Sequence, residues 1–90
     1  MVTIRLYAWL REEVGVGEIR LGYRGPISGL LLLLRLVLGD TASSIFGDDG
    51  QLKHGIVLGL NNRIVNPKMF KEEFVDDCDV VDIMPLGSGG

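Results

Sequence analysis

Ninety residues and 9.8 kDa give room for one small domain. Hydrophobic residues make up 47% and charged residues 23%, which excludes a disordered tail or a collagen-like repeat. The net charge is −3, and no basic stripe of the kind nucleic-acid-binding domains use is present, so nucleic acid is not an expected partner.

Val2, Ile4, Leu6 and Ala8 alternate with Thr3, Arg5 and Tyr7. Period two with β-branched residues predicts a strand. Trp9 to Val14 predicts a short helical turn closed by Gly15 or Gly17. Glu18 to Tyr23 alternates again, with Ile19, Leu21 and Tyr23 on one face. Two strands this close in sequence suggest an antiparallel pair.

Gly25-Pro26 breaks the second strand, and proline suits a first helical turn. Ile27, Leu30, Leu31, Leu34 and Leu38 then mark one buried stripe of a long helix. Leu32, Leu33, Leu36 and Val37 fall on its other faces, so the helix is apolar nearly all round. Those extra leucines are either core packing or a patch facing a partner. Gly39-Asp40 is the stop signal. The apolar stretch Leu30–Leu38 is too short to span a bilayer, which needs about 20 residues, and no membrane is expected as partner.

Residues 40–54 read as a polar surface connection with a helical turn around Ser43 to Phe46. Asp48-Asp49-Gly50 predicts a turn rather than a calcium loop, because further oxygen ligands at the right spacing are missing. Gly55 to Leu60 and Arg63 to Val65 flank Asn61-Asn62. Asparagine tolerates positive φ, so this pair predicts a two-residue hairpin. Lys68 to Val75 holds a further helical turn, and Asp76-Asp77 a turn. Asp79 to Met84 is the last strand, with Val81 and Ile83 inward, and Pro85 ends it. The sum is a sheet of four or five strands covered by one main helix. Its first and last strands sit side by side in the middle, since both are apolar enough for a covered position.

Few residues offer chemistry. Cys78 lies among Asp76, Asp77, Asp79 and Asp82, a setting that does not activate a thiol. One cysteine forms no internal disulfide, and one histidine, His54, builds no His/Cys metal cluster, so no metal is expected. The N-terminus has no signal-peptide pattern. Together these point to a reducing, cytoplasmic setting. No glycine pattern matches a dinucleotide or phosphate loop. Glu72, Glu73, Asp76, Asp77, Asp79 and Asp82 form an acidic cluster, either a solvated face or a surface that steers a basic partner.

The unusual feature is Ser88-Gly89-Gly90, following directly on an apolar strand. Two residues without Cβ make a thin, flexible thread. Its reactive group is an α-carboxylate. Extended, Pro85 to Gly90 reaches roughly 20 Å at ~3.3 Å per residue, enough to enter another protein's active site.

The opening Ile4-Arg5-Leu6-Tyr7-Ala8-Trp9-Leu10-Arg11-Glu12 resembles the start of MoaD-type proteins, a hydrophobic strand followed by Ala-x-Leu-Arg-Glu. Asp77-Cys78-Asp79-Val80-Val81-Asp82-Ile83-Met84-Pro85 resembles their Asp-Gly-Asp-Glu-Val-x-Phe-x-Pro ending before Gly-Gly. Ile64-Val65-Asn66 resembles the second arm of their hairpin. Cousins are the ThiS carriers, the ubiquitin-related modifier and the archaeal small modifier proteins. Two departures stand out. Cys78 replaces the usual glycine, and Pro85-Leu86-Gly87 replaces Pro-Pro-Val.

The resemblance implies an α+β, ubiquitin-like β-grasp domain over residues 1–84 and a flexible reactive tail over 85–90. It implies a sulfur carrier acting as the small subunit of molybdopterin synthase, in molybdenum cofactor synthesis. Gly90 would carry the carboxylate that is adenylated and thiocarboxylated, with Gly89 keeping the thread thin. Met84, Leu86, Gly87 and Ser88 would meet the partner. Those partners would be an E1-like, MoeB-type activating enzyme, which uses ATP, and a MoaE-type large subunit. The carrier itself would hold no cofactor. Two other readings remain. One is a modifier joined through Gly90 to lysines of target proteins, with a further role as sulfur carrier for tRNA thiolation. The other is an interaction module with no terminal chemistry.

Overall fold

The computed structural model describes residues 1–86. β1 (Val2–Leu6) alternates as its sequence demands, with Val2, Ile4 and Leu6 buried. The strand is shorter than its alternation suggests. At Tyr7 the chain turns: its N–H donates to Ile83 O, and Leu10 N–H donates to Tyr7 O. Ala8, expected on the inward face of the strand, instead opens α1 (Ala8–Val14) at φ +54° and is exposed. Gly15 closes α1 at φ +93°, its N–H donating to Arg11 O, a left-handed cap that glycine adopts without steric cost. β2 (Glu18–Leu21) returns antiparallel to β1.

Gly25-Pro26 does more than break a strand. It forms β3, a two-residue antiparallel ladder with β6 (Phe74–Val75), where a helical turn was expected. α2 (Ile27–Leu38) follows, with Pro26 at its N-cap rather than in the first turn. Gly29 lies inside α2, where glycine costs about 1 kcal/mol relative to alanine. The reason is a close approach. A Cβ there would collide with the Tyr23 hydroxyl, which donates to Pro26 O at 2.6 Å.

Ile27, Leu30, Leu31 and Leu34 are buried in the core, and Leu38 is half-buried. Helical structure does not stop at Gly39. It continues as a 3-10 helix over Gly39–Ser44. The whole stretch Ile27–Ser44 is 18 residues long with a mean hydropathy of 1.4, long and apolar enough by that measure to cross a membrane. Its buried stripe is packed into the domain core, so the apolarity has a use within the fold. The following connection is less superficial than its polar composition suggests. Ile45 and Phe46 are buried, and Phe46 bridges to Leu52.

β4 (Ile56–Leu60) and β5 (Arg63–Val65) form the expected hairpin. Asn61 and Asn62 hold φ +49° and +71°, the pair of positive values this turn requires. A 3-10 turn over Pro67–Met69 leads to β6. β7 (Val80–Pro85) runs one residue later than expected and pairs with β1 in parallel and β4 antiparallel. The five-stranded order is β2-β1-β7-β4-β5. The first and last strands are therefore central neighbours, and Val2, Ile4, Val81 and Ile83 are all fully buried.

Two outcomes follow for stability. Leu34→Ala should cost roughly 2–5 kcal/mol by opening a core cavity, whereas Leu36→Ala, at an 80% exposed site, should stay within about 0.5 kcal/mol. Equal shifts in urea unfolding would contradict this assignment of helix faces. Cys78 holds φ +73° in an exposed turn, at the position where the related motif carries glycine. Cys78→Gly should therefore stabilise the domain by about 0.5–1 kcal/mol, relief of left-handed strain outweighing the added chain entropy. A lowered melting temperature would refute it.

Candidate functional site

The alternation that buries one face of each strand leaves the other face without a covering helix. A single row crosses all five strands there: Glu18, Arg5, Asp82, Gly59 and Ile64. Arg5 Nε lies 3.9 Å from Glu18 Oε1. Ile64 is 59% exposed, a large apolar side chain turned outward while Val65 turns in. Met84, expected to touch a partner, lies on this open face opposite Val57 and is half-buried. Its methyl group covers Gly59, where a Cβ would sit 3.5 Å away.

Asp82 is the buried charged residue of this face. Its Oδ1 accepts a hydrogen bond from the Tyr7 hydroxyl at 2.8 Å. That bond raises the Tyr7 pKa above the ordinary phenol value, with burial and the carboxylate's charge adding to it and Arg5 opposing it.

The acidic cluster is thus not one free surface. Asp82 is tied to Tyr7, Asp76 to Arg24 at 2.8 Å and Asp77 to the N-terminal amine at 3.0 Å. Asp79 accepts from Asn61 Nδ2 and from the Asp76 amide, and Glu73 from Arg63. The Asp77 amide bond, followed by Arg24, lowers the Asp76 pKa. These carboxylates brace the turn that enters β7, where Asn61 Oδ1 also receives the Val80 N–H. Their number in sequence suggests a steering surface; their partners show a clamp.

Leu86 is 69% exposed, and its N–H donates to Gly55 O. Pro85 pairs with Ile56 as the last residue of β7. The ladder therefore reaches beyond Met84 to Pro85, and Leu86 is hydrogen-bonded just past it. Gly87, Ser88, Gly89 and Gly90, the heart of the expected site, lie outside the described residues. Among the described residues no His/Cys/Asp/Glu group is arranged to hold a metal. His54 and Cys78 are exposed and lie in turns.

Sequence reasoning missed Ile64 and the Tyr7–Asp82 pair. Outward apolarity at Ile64 was a signal available in the hairpin. The buried bond depends on register across β1 and β7.

No protein-family model matches the sequence, and no curated protein matches it. Solved structures do. SAMP1 from Haloferax volcanii superposes with a TM-score of 0.82 at 25% identity, covering 99% of this chain and 98% of that one. The small archaeal modifier protein 1 from Methanosarcina acetivorans gives 0.77 at 28%, covering 99% and 95%. The structural neighbours of this chain are MoaD/ThiS-like, ubiquitin-like sulfur carriers and modifiers. Two more distant likenesses show the shared β-grasp fold alone. CysO from Amycolatopsis orientalis, solved as a complex with BexX, gives 0.76 at 19% and full coverage of both chains. A putative molybdopterin converting factor subunit 1 from Pyrococcus furiosus gives 0.66 at 23%, covering 94% and 95%. The fold expected from the opening and closing motifs is thereby established, as is the carrier or modifier character of its neighbours.

The Tyr7 bond has a pH signature. A phenol with a raised pKa contributes stability fully present below the ordinary phenol value and lost as pH rises through the raised one. Ultraviolet titration should show the Tyr7 step later than that of free tyrosine. Asp82→Asn should move it earlier, by removing the charge behind the bond. An unmoved step would show that Asp82 does not hold the phenol.

Proposed function

We propose that this chain is a sulfur carrier whose reagent is the Gly90 carboxylate. The observation that carries the reading is the path of β7. The strand is clamped between β1 and β4 and leads the chain out at Leu86, beside an open sheet face bearing Met84 and Ile64. A rigid exit next to exposed apolar side chains suits a body that docks while its thread enters a second protein. Gly-Gly keeps that thread narrow.

In this reading an E1-like, MoeB-type enzyme binds the open face and supplies ATP as its own substrate. The Gly90 carboxylate attacks the α-phosphorus, pyrophosphate leaves, and an acyl-adenylate forms. A carboxylate is a poor acyl donor, and the mixed anhydride supplies a good leaving group. A persulfide then displaces AMP, and a further thiol releases the thiocarboxylate. Met84 and Leu86 anchor the body, and Gly87, Ser88 and Gly89 thread the partner's channel. The acceptor we infer is a pterin precursor held by a MoaE-type large subunit. The resemblance of the opening and closing motifs to MoaD-type proteins supports this reading. An exposed free thiol at Cys78 suits work in a reducing cytoplasm.

A second reading has its own support, because two of the similar structures are small archaeal modifier proteins. Here the adenylated or thioester-bound carboxyl passes to a lysine amine of a target protein. The two readings share every step up to activation and differ in the acceptor.

Incubation with an E1-like enzyme, ATP and a sulfur donor should raise the intact mass by about 16 Da, oxygen replaced by sulfur. Deleting Gly90, or adding a residue after it, should abolish the gain while leaving the melting curve unchanged, since such a tail contributes little to a core. Normal loading of either variant would overturn the reading. Co-purification with a large synthase subunit would favour the pterin acceptor, and lysine-linked conjugates the modifier.

A further inference from the structure

On the helix side of the domain, a groove of about 470 Å³ lies between α2 and two turns, Gly50–Leu52 and Pro67–Lys71. Leu31 and Phe70, both core residues, form its floor with half-buried Leu52. The Ser28 N–H donates to Phe70 O at 2.9 Å, which fixes the turn against the helix and keeps the groove in shape. Leu32, 59% exposed, forms one wall. Leu36, 80% exposed, continues that wall one helical turn along α2, about 6 Å further at 1.5 Å per residue. The apolar strip is therefore longer than the groove, which suits an elongated occupant better than a small molecule.

Its charge is the opposite of the molecule's. The chain carries a net −3, yet the groove lining contains Lys68 and Lys71 and no carboxylate. Arg5, Arg20, Arg24 and Arg63 are engaged by acidic side chains. Among the described residues, Lys68 and Lys71 are engaged in no ion pair, and both are exposed. Two free ammonium groups beside an apolar floor complement carboxylates flanking bulky apolar side chains.

We propose that this groove docks an acidic, leucine-bearing peptide segment of a partner protein. The lining of the groove includes neither Met84 nor Ile64 of the open sheet face. A partner held here does not cover Met84 or Ile64, so, on the proposed carrier function, one protein can hold the domain while a second meets its open face.

The probe is an acetylated peptide of alternating leucine and glutamate pairs, with a counterpart bearing lysine for glutamate, titrated into the full chain and followed by NMR. The glutamate probe should shift resonances of Leu31, Leu52, Phe70 and Lys71 while leaving Ile64 and Arg5 in place. Lys68→Glu combined with Lys71→Glu, at exposed sites that preserve the core, should weaken it about tenfold or more. Added salt should weaken it as well, and the lysine probe should not compete. Equal binding of both probes, shifts confined to the open face, or no shift at millimolar peptide would overturn the proposal. So would groove resonances that move on dilution of the protein alone, because the occupant would then be a second copy.

Discussion

The parallel pairing of β1 with β7 is the constraint on which the rest of the molecule depends. It joins the first strand of the chain to the last, Thr3 through Leu6 against Val80 through Ile83. Ile4, Val81 and Ile83 on it are fully buried, as are Ile27, Leu30 and Leu34 of α2. Because this pairing is so remote in sequence, closing it costs chain entropy that only burial under α2 can offset. The clamp of Asp76, Asp77 and Asp79, with Met1 and Asn61, lies at one end of this ladder. The exit of the chain at Leu86 lies at the other. The direction and position of that exit are therefore set by the least deformable part of the domain.

What the sequence made legible was whatever repeats. Period two located β1, β2 and β7, and the leucine spacing of α2 identified Leu30 and Leu34 as its inner face. Asn61-Asn62 announced a hairpin through backbone chemistry alone. What escaped had no period to read. A two-residue ladder such as Gly25-Pro26 with Phe74-Val75 is defined by its partner. Ile45 and Phe46 are buried apolar residues within a polar, glycine-bearing stretch, where composition argues for a surface loop. Part of the site was equally hidden. Six carboxylates in eleven positions look like a charged surface until tertiary pairing shows most of them occupied. The expectation for Met84 and Leu86 comes from the resemblance to MoaD-type proteins rather than from any period. Gly89 and Gly90 rest on the motif and on covalent chemistry.

The two sides of the domain consequently carry different surfaces for different physical reasons. On the open sheet face, the row from Glu18 to Ile64 combines internally matched charge with apolar side chains near the exit of the chain. A partner there meets apolar contact area first, because the charges are already engaged. In the groove beside α2, Lys68 and Lys71 face no carboxylate of the lining, and Leu32 and Leu36 beyond the buried stripe are exposed. A helix needs one apolar stripe to cover a sheet. α2 has that stripe and more. The excess apolarity of Leu32 and Leu36 has no role in covering the sheet, and exposed leucine is a liability unless something covers it.

Internal charge pairing also bears on how such a small domain keeps its partners distinct. Surface ion pairs contribute little to stability one by one, ~0–1 kcal/mol each, so the pairs at Asp76, Asp77 and Glu73 are a weak explanation for the fold's persistence. Their larger consequence is that they remove charge from the list of features a passing protein can recognise. In an acidic chain of this size, unpaired carboxylates at the entry to β7 would attract any basic surface. With Asp82 bonded to Tyr7 and the acids at the entry to β7 engaged by Arg24, Asn61 and the amine of Met1, the end of the β1–β7 ladder away from Leu86 offers a passing protein little free charge.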